Sequence, residues 1–98
     1  MAELWIVRVE MTVQPEDFAS GNTVGFMNAV IWADAPELAA ARLSRYLATF
    51  DWHVVSVEDI SIACDDLVYQ EKMQEMIDQA RVNPEAIVLG DFHSYKVN

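Results

Sequence analysis

"FDWHVVSVEDISIAC", residues 50–64, decides how many strands the sheet has. Val55 and Val57 fall on odd positions, whereas Ile60, Ile62 and Cys64 fall on even ones. A strand alternates its side chains between two faces, so a one-residue slip turns over every side chain that follows. A hairpin at Glu58-Asp59 would cut the stretch in two, but Glu-Asp is a poor two-residue turn. A β-bulge near Glu58-Asp59, one extra residue in a continuous strand, is the more economical reading. Residues 50–64 therefore count as one long strand.

Two strands precede it. Trp5, Val7, Val9, Met11 and Val13 alternate with partly polar neighbours, which marks residues 3–13 as a strand with one wetter face. Pro15 and Ser20-Gly21-Asn22 break the pattern, leaving a loop with room for one helical turn at Pro15 to Ala19. Residues 23–33 are apolar on both faces: Val24, Phe26, Val30 and Trp32 on one, Met27, Ala29 and Ile31 on the other. Two buried faces imply a central strand, with Asn28 its polar exception.

Two helices complete the pattern. Asp34 reads as an N-cap, with Pro36 in the first turn and Glu37 closing a capping box. Ala39, Leu43, Tyr46, Leu47 and Phe50 share one side of this helix, and the small, flat set Ala41, Ser44, Arg45 and Ala48 the other. The second helix is expected directly after Asp65-Asp66, which suit its cap and its positive dipole end. Tyr69, Met73, Met76, Ile77 and Ala80 form its apolar stripe, and Pro84 stops it by Asn83. Residues 86–96 close the chain as a last strand, anchored by Phe92 and Tyr95 and followed by the end of a Lys96-Val97-Asn98 tail.

The order β-β-α-β-α-β implies an α+β two-layer sandwich in one domain, 1–98, with a mixed four-stranded sheet. Right-handed crossovers place both helices on one face if the strand order runs on in one direction. The other face then exposes part of Leu4, Ile6, Trp32 or Phe92, and a homodimer that pairs this face with itself is expected to hide them.

Composition bounds the function. Surface scaling at 11.1 kDa buries about 65% of the unfolded chain's area, enough for a core without metals or disulfides. A single cysteine, Cys64, excludes an internal disulfide and fits a reducing, cytoplasmic setting. Glu3, Arg8 and Glu10 interrupt the first apolar run, which is wrong for a signal peptide. No segment approaches the ~20 apolar residues of a membrane span. Six Lys plus Arg against sixteen Asp plus Glu give a net charge of −10. That charge repels nucleic-acid phosphate backbones, and it speeds encounter with basic proteins.

Residues with chemical capacity are few. His93 needs a nucleophile and an orienting acid to act as a base. Asp91 and Tyr95 share its face, whereas Ser94 points to the other. His93 with Asp91 is thus a candidate catalytic dyad without a nucleophile. Asn28, His53 and Tyr95 are candidate ligand-binding residues. A metal would have to draw on His53, His93, Cys64, Glu58, Asp59, Asp65 and Asp66, none at metal-ligand spacing, so none is expected. The negative charges of Asp65 and Asp66 beside Cys64 disfavour a reactive thiolate, and the residue reads as buried and inert. Gly21, Gly25 and Gly90 are too scattered for a phosphate loop, and no cofactor is expected.

The most ordered feature is Glu71, Glu75 and Asp78, spaced i, i+4, i+7 on the helix side opposite the Met73-Met76-Ala80 stripe. Such like charges cost the helix a few tenths of a kcal/mol, and a basic partner offsets that cost. The reading leans to a small acidic, non-enzymatic module of the inhibitor or immunity-protein type. It docks on a basic protein through Glu71, Glu75, Asp78, Glu58 and Asp59. The alternative is a small enzyme or ligand-binding domain with a pocket near His93.

Overall fold

The computed structural model describes residues 2–96, so that of the carboxyl-terminal tail only Lys96 is described. Its elements are β1 (Glu3–Thr12), β2 (Val24–Ala33), α1 (Pro36–Ala48), β3 (His53–Ile62), α2 (Glu71–Val82) and β4 (Val88–Tyr95). The class is α+β and the element order is the one expected.

The sheet runs β3-β1-β2-β4, and every neighbouring pair is antiparallel. The expectation of a mixed sheet is therefore corrected. β2 and β3 are parallel to each other, but β1 stands between them and takes the hydrogen bonds of both. The long third strand is continuous, as its changed parity required. Its register against β1 slips between Arg8 and Val9, leaving Glu58 unmatched, and again between Glu10 and Met11, leaving Val55 unmatched. The second slip shows in the sequence only as an extra residue between Val54 and Ser56.

The helices lie on opposite faces. Ala39, Leu43 and Leu47 of α1 pack with Trp5, Val7, Val9 and Met11, the odd positions of β1. Met76, Ile77 and Ala80 of α2 pack with Leu4 and Val30, whose side chains point the other way. The Trp32 indole N–H donates to the Ala80 carbonyl at 2.7 Å and ties α2 to its face. The one-face arrangement expected from the sequence fails for a topological reason. The handedness rule governs links between parallel strands. α1 makes such a link, from β2 past β1 to β3. β3 and β4 are opposite edges running antiparallel, so the rule does not bind α2, which crosses back over the free face.

Coverage is unequal on the two faces. Beyond α1, the loop between β1 and β2 lays Phe18 on Phe92 with ring centres 4.6 Å apart. The Trp52 indole holds that loop by donating to Asp17 at 2.6 Å. On the other face α2 packs chiefly against β2 and β4 and reaches β1 at Leu4, leaving most of β1 and β3 open there. Leu4 is buried, whereas Ile6, Trp32 and Phe92 are half-buried and keep part of their surface exposed. The open area also carries Arg8, Glu10 and Asp59.

Both helix starts differ from expectation. The residue before α1 is Ala35, whose carbonyl accepts from the Leu38 and Ala39 amides at 3.1 Å, and no side chain caps the helix. Pro36, with φ fixed near the helical value, occupies the first position and so displaces Asp34 from the cap. α2 starts at Glu71 behind Gln70, not behind Asp65-Asp66. Asp65 is taken by an ion pair with Arg81, near the end of the same helix.

Candidate functional site

Antiparallel register arranges the even face of the sheet in rows. Asp59, Arg8 and Asn28 form one row across β3, β1 and β2. Ser56, Glu10, Phe26 and His93 form the next, which reaches β4. His53, Thr12, Val24 and Tyr95 form the last. All the ligand-binding candidates therefore face the same way, but they do not meet. His53 is on the far edge strand, its ring nitrogen 3.1 Å from Asp51.

Tyr95 is engaged nearer the centre. Its hydroxyl donates to the Glu10 carboxylate at 2.6 Å, and its ring lies 5.7 Å from Phe26. The Arg8 guanidinium stands 5.0 Å above the other part of this group, the Phe26 ring. The hydrogen bond to Glu10 raises the Tyr95 pKa above its ordinary value of 10.0, with burial and the charges of Glu10 and Glu58 adding to it. Proton loss would put two negative charges against each other. The stabilisation is thus present in full below the unfolded pKa and is lost as pH rises through the raised one. We expect the Tyr95 ring resonance to titrate above a free tyrosine's and Glu10→Gln to bring it back down. An unchanged titration in that variant would show that Glu10 is not the cause.

Asn28, Asp91 and His93 do come together. β4 slips its register against β2 between Met27 and Ala29, where Asn28 faces the extra residue. Asp91, in that bulge, and His93, about 7 Å further along the strand, border the start of α2. With Lys72, Tyr69 and Met73 they line a cavity of about 490 Å³. Gly90 lets α2 approach: a Cβ there would stand 3.2 Å from both the Asn28 carbonyl and the Met76 sulfur.

As a catalytic dyad the pair is incomplete. His93 is exposed rather than packed under Phe92 or Tyr95, and among the described residues no hydrogen bond joins it to Asp91. Ser94 turns to the opposite face, where it meets the Ser20 hydroxyl at 3.2 Å and the Asn22 amide at 3.1 Å. Among the described residues no group of three His, Cys, Asp or Glu could hold a metal ion. Cys64 is exposed, not buried as its sequence context suggested, because it lies in the loop after β3; its backbone N–H donates to the Tyr69 hydroxyl at 2.9 Å.

The acidic candidates are surface groups. Glu71, Glu75 and Asp78 are exposed on the side of α2 turned from the sheet. Asp78 accepts from the Gln74 amide at 3.0 Å, and Glu71 and Glu75 have no partner among the described residues. Glu58 and Asp59 are exposed at the bulge of the edge strand, where charge also discourages pairing with another strand. No family model matches the chain, and no curated protein or solved structure matches it.

Sequence reasoning missed Lys72 and the double use of Tyr69 and Met73. Both apolar residues read as core stripe, yet they are half-buried because one side of each borders the cavity. A larger hollow, about 580 Å³, lies elsewhere, between Trp32, Leu38, Ala41 and Arg45. It lies on the small, flat side of α1 and brings together none of the candidate residues.

Proposed function

We propose that this domain is a non-enzymatic binding module that docks on a basic protein, in the manner of an inhibitor or immunity protein. One observation carries the reading. The outward carboxylates of α2 and those of the β3 bulge lie on the same side of the sheet, in a chain of net charge −10. Of the cations near them, Arg81 is engaged by Asp65 and Arg8 by the Phe26 ring, which leaves Lys72 as the unpaired one among the described residues. Unneutralised charge of one sign on one side steers a partner of the other sign, and the effect is screened by salt. The same field disfavours nucleic acid and anionic lipid surfaces. No helix among the described residues is long and apolar enough to cross a membrane. A lone, exposed Cys64 suits a reducing compartment such as the cytoplasm. Self-association through the partly exposed Ile6 and Trp32 remains a separate proposal.

Binding should follow ionic strength. A basic protein retained by the immobilised domain at about 20 mM salt should elute by about 0.5 M, where the screening length falls below ~5 Å. A partner held equally at both would be bound by apolar contact and would count against acidic docking.

The cavity beside His93 supports a second reading, a ligand-binding domain. Its specific support is the convergence of Asn28, Asp91 and His93 on one concave site.

A further inference from the structure

We propose that the cavity between β4 and the start of α2 binds a small zwitterion with an apolar tail, of the aliphatic α-amino-acid class. The proposal rests on the ligand-binding reading just given and assigns its ligand. The volume, about 490 Å³, is within the range of small-molecule sites. The walls divide by chemistry. Met73 and Met76 supply apolar surface, and methionine's flexible thioether adapts to the shape of a tail. At the rim stand Lys72 and Asp91, one cation and one anion, with the Asn28 amide and the His93 ring between strand and helix.

The opposite charges select the ligand. Among the described residues neither Lys72 nor Asp91 forms an ion pair or a hydrogen bond within the chain, and each therefore has its charge to give. A simple carboxylate would be held by Lys72 but repelled by Asp91 and by the net charge of −10. A simple amine would be held by Asp91 but repelled by Lys72. A molecule carrying both groups on one carbon satisfies both rim residues at once, and its neutral sum makes it indifferent to the field of the chain. The Asn28 amide, both donor and acceptor, can serve either end.

The test is a titration of the ¹⁵N-labelled protein with L-leucine, with 4-methylpentanoate, which lacks the amine, and with 3-methylbutylamine, which lacks the carboxylate. Saturable shifts of the Lys72, Met73, Asp91 and His93 amides are expected with leucine. Each analogue should bind about tenfold more weakly or worse, the cost of one charge-assisted hydrogen bond. Asp91→Asn and Lys72→Met, both at exposed positions, should each weaken leucine by about the same factor. Glu16→Gln, in the loop beneath the other face, should change nothing. Equal binding of leucine and one analogue would overturn the zwitterion assignment and leave the pocket reading standing. No saturable shift with any of the three would overturn both.

Discussion

Gly25→Ala is expected to destabilise the domain by about 3 kcal/mol, the upper part of the range for overpacking. Gly25 is buried on β2 opposite Ser94. A Cβ there would stand 2.6 Å from the His93 carbonyl oxygen, 2.7 Å from the Ser94 Cα and 2.8 Å from the Phe92 ring. The first two are backbone atoms and cannot rotate aside, so β4 must move off β2. The ring cannot yield cheaply either, because Phe18 is stacked on it. The loss should be local before it is global. Amide exchange should accelerate first at Phe92 and Ser94, and urea denaturation should give the lowered stability. Gly21→Ala is the contrast: space is open around it and its φ is +70°, so it should lose only about 1 kcal/mol, through backbone strain. If Gly25→Ala were within 0.5 kcal/mol of wild type, the close approach of β4 would be wrong.

Leu47→Ala is expected to cost about 3–5 kcal/mol. Leu47 is fully buried in the last turn of α1, among the odd-numbered side chains of β1 and the inner side chains of its own helix. It also fixes the helix end. Its carbonyl accepts from the Phe50 amide at 3.0 Å and the Trp52 amide at 3.1 Å, around Asp51 in the left-handed region at φ 62°. These backbone bonds survive the substitution, so the cost is transfer and cavity, not capping. Domains of this length have about 5–15 kcal/mol in all. A loss of about 3 kcal/mol should lower Tm by about 12–24 °C. Tyr46→Ala, one residue earlier but 37% exposed, should cost far less. Comparable losses at the two positions would contradict the assignment of the α1 inner face.

Period and parity made the strands and the bulge legible. The odd residues of β1 are the core because alternation leaves no other choice, and the shift from Val57 to Ile60 required an inserted residue. The faces of the helices were not legible. They depend on β3 and β4 being opposite edges, a pairing that no local pattern in either strand encodes. Helix starts misled for a related reason: Asp34, Asp65 and Asp66 are all good cap residues, but Pro36 takes the first position of α1, Asp65 is paired with Arg81, and α2 starts only at Glu71.

The candidate site was half legible. Asn28 was marked by its polarity in an apolar strand, and Asp91 and His93 by their shared face. What joined them to Lys72 was the slip between β2 and β4 together with the placement of α2, and both are tertiary facts. Tyr95 and His53 share that face by parity alone, and register puts them in another row.

The most direct test of the docking proposal is side-by-side capture from cells of the protein's own source, with the wild-type domain and the Glu71→Lys, Glu75→Lys, Asp78→Lys variant immobilised. All three positions are exposed, so the variant should fold as wild type does by circular dichroism. The account predicts one basic protein held by the wild type at low salt, released at high salt and at least tenfold depleted from the variant, as steering of this size implies. A partner retained equally by both proteins would mean that this helix face is merely solvated, and that the domain works through another surface.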